Sequence, residues 1–150
     1  MNGFEKIINK INPESKVLDA GGWGLEGVNT TQLLIDRFGE DNVITLNKDP
    51  IDGKKIDIIA EWYSYKPEKK YDVVVVDVDL DDNVKITWTT EEFHRMFNLF
   101  LKERGILILY IRTTRNTDYQ DVNFKEWDIF GIFPEGRRLD IVWVAFQKTV

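Results

Sequence analysis

The chain has 150 residues, 43% of them hydrophobic and 31% charged, with 26 acidic against 20 basic side chains, a net charge of −6 and no cysteine. This length and composition predict one globular domain with a core of its own, and they exclude disulfides, thiolate metal sites and a cysteine nucleophile. The acidic balance disfavours nonspecific nucleic-acid binding, which relies on phosphate neutralisation by Lys and Arg.

No apolar run approaches the roughly 20 residues of a membrane span, and Met1–Lys10 lacks the layout of a signal peptide. A cytoplasmic protein with no membrane contact is therefore expected. Phe4, Ile7, Ile8 and Ile11 recur at helical spacing, which predicts a short amphipathic helix within Met1–Asn12, laid against the sheet edge or over a ligand. Pro13 ends it.

Lys16–Asp19 reads as the first strand, and Gly21, Gly22, Gly24 and Gly27 follow in a loop that leads into a helix. Glycine tolerates sharp turns and positive φ, so such a loop brings backbone N–H groups close to a nucleotide. Gly22-x-Gly24-x-x-Gly27 fits the dinucleotide fingerprint. Asp19 points elsewhere, because a carboxylate at the loop repels a pyrophosphate but attracts the sulfonium and ammonium of S-adenosylmethionine. The stretch resembles the first motif of class I S-adenosylmethionine-dependent methyltransferases, an acid followed by x-Gly-x-Gly-x-Gly. It departs at Trp23, which stands where that family usually has its second glycine, and in a loop a few residues longer.

Asn29 or Thr30 is placed to cap the next helix. Thr31, Leu34, Ile35 and Phe38 form its inner face, and Gly39 stops it. Val43–Leu46 is strand two. An acid here accepts hydrogen bonds from ribose hydroxyls in nucleotide-binding α/β folds, and Asn47 and Asp49 are the two candidates, with Asp49 the better acceptor. Pro50–Lys55 leaves little room for a second crossover helix. Ile56–Ala60 is strand three, followed by Glu61-Trp62. The resemblance implies that Glu61 contacts the adenine amino group, and the flat face of Trp62 suits stacking on the base. Lys66, Lys69 and Lys70 form a local basic patch that reads as a solvated turn.

Tyr71–Asp77 contains the clearest strand, apolar on both faces and so part of a parallel sheet covered by helices. Asp77 emerges at the strand end where ligands bind, with Asp79, Asp81 and Asp82 close behind. Thr89–Glu92 fits a capping box opening a helix with a stripe of Phe93, Met96, Phe97, Phe100 and Leu101, ended by Gly105. The single histidine, His94, lies off that stripe. Ile106–Ile111 is strand five, and Arg112 and Arg115 follow it as candidates for an anionic group or as partners of the Asp79–Asp82 run. Asp118–Lys125 is a short helix or irregular link. Glu126–Phe133 and Leu139–Lys148 flank a turn-rich segment and predict a hairpin.

The resemblance implies a three-layer Rossmann-like α/β sandwich: a mostly parallel seven-stranded sheet, order 3-2-1-4-5-7-6, ending in an antiparallel hairpin with strand seven antiparallel. It also implies in-line methyl transfer from S-adenosylmethionine, in which the protein mainly aligns the reactants. The expected cofactor-binding residues are Asp19, Gly21, Gly22, Trp23, Gly24, Asn47, Asp49, Glu61, Trp62 and Asp77. Asp77 and Asp79 are the candidates for a catalytic base. Asp77, Asp79 and Asn116 have oxygen ligands for Mg²⁺, but Arg115 stands where an acid is needed, so no metal is expected. The methyl acceptor, small molecule or macromolecule, is not specified. With almost no insertions, the site is open to a large acceptor or borrows a wall from a partner subunit, as in a homo-oligomer. The opposing expectation is a non-catalytic domain of the same fold that serves as a binding or assembly module; a nicotinamide-dependent protein is the third.

Overall fold

The structure is a computed structural model and describes residues 2–24, 29–61, 64–76, 98–112, 127–135 and 138–149. Its centre is a seven-stranded sheet, β1 (Val17–Ala20), β2 (Val43–Asn47), β3 (Ile58–Ile59), β4 (Tyr71–Val76), β5 (Leu101–Arg112), β6 (Trp127–Glu135) and β7 (Arg138–Lys148), in the order β3-β2-β1-β4-β5-β7-β6. β1 to β5 run parallel, while β7 is antiparallel to both β5 and β6. This is the order that the resemblance implies.

The central strands β1, β2 and β4 are short of polar residues because both of their faces are covered. On one face Leu18, Leu46, Val74, Val76, Leu107 and Val144 join Phe100 and Phe146 in one cluster. On the other, Val17, Val43, Val73, Val75, Ile108 and Trp143 pack against α1 (Gly3–Ile8) and α2 (Thr30–Phe38). From Val73 to Val76, alternate residues of β4 enter opposite clusters, as the period of a strand requires.

α1 opens with a capping box, Asn2 accepting from Glu5 N–H and Glu5 accepting from Asn2 N–H. It stops at Ile8, short of Pro13. Arg37 of α2 accounts for the early stop: its Nε donates to Ile8 O at 3.2 Å, and its Nη2 to Asn9 O at 3.2 Å and Ile11 O at 2.6 Å. The helix lies against β6 and β7, which decides for the sheet-edge placement, and Phe4 meets Trp143 with ring centroids 4.6 Å apart. Gly39 ends α2 with φ 89 and an N–H bonded to Ile35 O.

Two further boundaries move from their expected places. Strand three shrinks to Ile58–Ile59 because the Asp57 side chain, not the main chain, receives Thr45 N–H at 2.8 Å. Leu101, expected in a helix, already belongs to β5, and only 98–100 of the described residues before it are helical. Gly105 does not stop a helix. It sits in a bulge where Arg104 takes φ 58 and the β4–β5 register shifts, and a Cβ on Gly105 would stand 2.8 Å from Lys102 O. β6 is an edge strand, which is where Pro134 is tolerated. The expected capping box at Thr89–Glu92, His94 and the 118–125 link lie outside the described residues.

Candidate functional site

The site is assembled at one edge of the parallel sheet. Ala20 is level with Leu46 and with Val76, and Asn47 with Ile59. The chain therefore leaves β1, β2, β3 and β4 at the same edge, the carboxyl end where ligands bind in such sheets.

The first exit is the glycine loop. Gly21 has φ 97, a region that glycine enters without a Cβ clash. The N–H groups of Gly21 and Gly22 both donate to Leu46 O, at 2.7 and 3.0 Å, and Gly24 N–H returns to Gly21 O at 2.9 Å. Gly22 has a second reason to be glycine: a Cβ there would lie 2.9 Å from Thr45 Cβ. The loop is thus folded down onto β2.

Asp19 lies beneath this loop and is completely buried, at 0% exposure. Its Oδ2 accepts from Thr31 Oγ1 at 2.7 Å, and Thr31 Oγ1 in turn accepts from Trp23 N–H at 2.8 Å. The carboxylate therefore holds the loop through a hydroxyl of α2. Asn29 occupies the N-cap position of α2 but makes no side-chain capping bond.

The second exit is the turn after β2. Asn47 Nδ2 donates to Gly22 O at 3.0 Å and Asn47 Oδ1 accepts from Asp49 N–H at 3.1 Å. Both ends of the Asn47 amide are engaged, whereas Asp49 is exposed. Beyond it the connection to β3 contains no helix, as its length predicts. Lys54 from this connection places its Nζ 4.3 Å from the centre of the Trp23 ring. Asp57 anchors the far end: its N–H donates to Thr45 Oγ1 at 3.0 Å, and Lys55 Nζ lies 3.5 Å from its Oδ1.

At the third exit Glu61 is half-buried, and its carbonyl accepts from Ser64 and Tyr65 N–H, closing a turn beyond β3. Arg112 is the last residue of β5, its main chain paired with Ile141. Trp62, Asp77, Asp79, Arg115 and Asn116 lie outside the described residues, as do Leu25 to Val28, Gly27 among them. Among the described residues, no group of three or more His, Asp or Glu is clustered to hold a metal, and no helix is long and apolar enough to cross a membrane.

The strand order, the glycine loop at the first exit and the closing hairpin together decide the architecture. The chain has the class I S-adenosylmethionine-dependent methyltransferase fold. Solved structures of such enzymes superpose on nearly its whole length. The 1,6-didemethyltoxoflavin-N1-methyltransferase of Burkholderia thailandensis, with 1,6-didemethyltoxoflavin and S-adenosylhomocysteine bound, matches with a TM-score of 0.63 and 9% identity over 99% of this chain and 79% of its own. An rRNA methylase from Streptococcus thermophilus matches with a TM-score of 0.63 and 10% identity over 97% of this chain and 94% of its own. A TehB-like S-adenosylmethionine-dependent methyltransferase from Corynebacterium glutamicum gives 0.61 and 16% identity over 99% and 88%. No protein-family model matches the chain, and no curated protein matches it in sequence.

Within the methyltransferase fold, three side chains that the sequence analysis did not assign to the site now belong to its frame. Thr31 stood only as a residue of the α2 inner face, Lys54 in a polar link and Asp57 in strand three. The single local signal was a hydroxyl in the first turn of a helix that begins after a glycine loop.

Proposed function

We propose that the chain binds S-adenosylmethionine at the carboxyl edge of β1, β2 and β3 and transfers its methyl group to an acceptor. The observation that carries this reading is the buried Asp19 carboxylate on the floor of the glycine loop. A negative charge there opposes a pyrophosphate and favours a cation, and S-adenosylmethionine presents a sulfonium and an ammonium. The fold supports the same choice, since relatives of this architecture carry S-adenosylhomocysteine.

The residues present fit that cofactor. Asp49 is the carboxylate for the ribose hydroxyls, because Asn47 spends its amide on Gly22 and on Asp49 N–H. The loop of Gly21, Gly22, Trp23 and Gly24 supplies main-chain groups along the methionine end. Glu61, carried on a closed turn, and Trp62 take the adenine. When bound, the cofactor supplies an electrophilic methyl. The chain aligns this methyl with the acceptor and excludes water, and well-oriented partners account for roughly 7–11 kcal/mol of barrier lowering. Asp77 or Asp79, at the exit of β4, takes the proton of a hydroxyl or amine acceptor.

Titration calorimetry with S-adenosylmethionine and S-adenosylhomocysteine, and NAD as control, tests the first half. Micromolar binding of the first two, weakened at least tenfold in Asp49→Asn, is expected; a tenfold change corresponds to about 1.4 kcal/mol. Binding of NAD alone, or of none of the three, overturns the proposal. Transfer of a labelled methyl group from the cofactor to acceptor pools then tests the second half. Cofactor binding without any transfer would identify a ligand-binding module rather than an enzyme.

A further inference from the structure

The glycine loop holds one residue that local energetics disfavour. Trp23 has φ 64, a left-handed conformation that glycine adopts freely and a bulky side chain does not. Glycine at this position would release the strain, so the tryptophan is kept by what it touches. Its N–H is bonded to Thr31, a bond that any residue makes. Only the ring is particular to tryptophan, and it faces the Lys54 ammonium at 4.3 Å, well inside the range of a cation–π contact.

Lys54 is in the helix-free connection between β2 and β3. A helix there would pack on the sheet face beside α2 and hold the connection in place. Here that space is a cleft of about 370 Å³, lined by Trp23, Ile35, Thr45, Lys55 and Asp57 among others. The connection is instead pinned to the loop at two points, Asn47 on Gly22 at its start and Lys54 on Trp23 near its end. Asp49 lies between the two pins.

We infer that Trp23 and Lys54 are positioning residues, whose ring–ammonium contact takes the place of the absent helix and fixes the 48–55 segment so that Asp49 meets the ribose in one geometry. The inference rests on the cofactor reading proposed above. It assigns no chemical step to either residue. Trp23 is useful because it is large enough to reach the connection, and its backbone strain is tolerated for that reason.

The test uses Trp23→Gly, Trp23→Phe and Lys54→Met in the full chain, with S-adenosylhomocysteine and its 2′-deoxyribose analogue as probes in calorimetry. The wild type is expected to prefer the ribose form. Trp23→Gly and Lys54→Met lose that preference and bind S-adenosylhomocysteine about three- to fivefold more weakly, the worth of an exposed cation–π contact, while Trp23→Phe keeps most of both. Amide hydrogen exchange of residues 48–55 accelerates in the first two variants. Lys54→Met changes an exposed side chain and keeps the test open if Trp23→Gly does not fold. Unchanged affinity and preference in both variants overturns the inference, and so does an equal loss for both ligands with unchanged exchange. A wild type that binds neither probe overturns the cofactor reading instead, and exchange of 48–55 then decides alone whether the contact pins the connection.

Discussion

Replacing Thr31 by Val removes one hydroxyl and little volume, and it tests whether the floor of the loop is held as described. The hydroxyl makes two short bonds, 2.7 Å to Asp19 Oδ2 and 2.8 Å from Trp23 N–H, and both Thr31 and Asp19 are buried. Valine leaves the carboxylate oxygen without its donor and the N–H without its acceptor. The buried carboxylate oxygen loses about 1–3 kcal/mol and the part-buried N–H about 1 kcal/mol, so the expected loss is about 2–4 kcal/mol. For a chain of this size, 1 kcal/mol moves Tm by roughly 2–4 °C, giving a fall of roughly 5–15 °C. Thermal unfolding by circular dichroism or calorimetry reads it directly. Thr31→Ser keeps the hydroxyl and gives up a methyl group, so it recovers most of the loss. The pair Thr31→Val and Asp19→Asn should be non-additive by more than about 0.5 kcal/mol, since the two residues share one bond. A Tm for Thr31→Val within about 2 °C of wild type, or equal losses for Val and Ser, refutes the bridging role.

Gly22→Ala places a Cβ 2.9 Å from Thr45 Cβ and 3.0 Å from its Cγ2; overpacking of this kind costs about 1–3 kcal/mol. Chemical denaturation should show that loss, and Thr45→Ser, which removes the Cγ2, should restore part of it. Arg37→Lys should lower Tm almost as much as Arg37→Ala, because one ammonium cannot serve the carbonyls of Ile8, Asn9 and Ile11 that the guanidinium reaches. Full stability in the lysine variant would show that charge alone suffices. Burial pushes the Tyr71 hydroxyl above the ordinary tyrosine range, with lesser contributions from nearby Tyr65, Asp57 and Glu68. The unfolded chain therefore ionises first: the stability linked to this group is complete below pH 10 and is lost as pH rises beyond it. The alkaline unfolding midpoint should move up in Tyr71→Phe, and no shift would count against the buried hydroxyl as a contributor.

What the sequence revealed of the fold came from signals that are local or periodic. The run Tyr71–Val76 is apolar on both faces and became the centre of the sheet. Gly39 stopped its helix, and the turn-rich segment near Pro134 became a hairpin. The misplaced boundaries all depend on residues far apart in the chain. α1 ends early because Arg37 reaches back to it, β3 is short because Asp57 bonds sideways to Thr45, and β5 begins at Leu101 because a bulge beside Tyr71 accommodates it. No run of about ten residues contains both partners of such a contact. The site divides the same way. Asp19 and the glycines were legible as a motif. That Asp19 would face downward onto Thr31, and that Asn47 would be consumed by Gly22, depends on how α2 and β2 approach the loop.

The absent crossover helix has a consequence for how stability and binding are distributed. In the loop floor Asp19, Thr31 and Thr45 are buried, Asp19 hydrogen-bonded to Thr31 and Thr45 to Asp57, so changes there reach the core and lower Tm. The turn that offers Asp49 is exposed and is tied to the loop by one amide and one ring–ammonium contact, with the Lys55 carbonyl held by Thr45 Oγ1 at its far end. Segments with few buried contacts open locally at low free energy, without the rest of the domain unfolding. Substitutions in 48–55 should therefore leave Tm nearly unchanged and weaken ligand binding, while those in the loop floor do both. On the proposed function, the ligand itself completes the ordering of this turn. Ligand binding should protect 48–55 from amide exchange more than it protects β1 or β4, and equal protection of all three would place the flexible part of the site elsewhere.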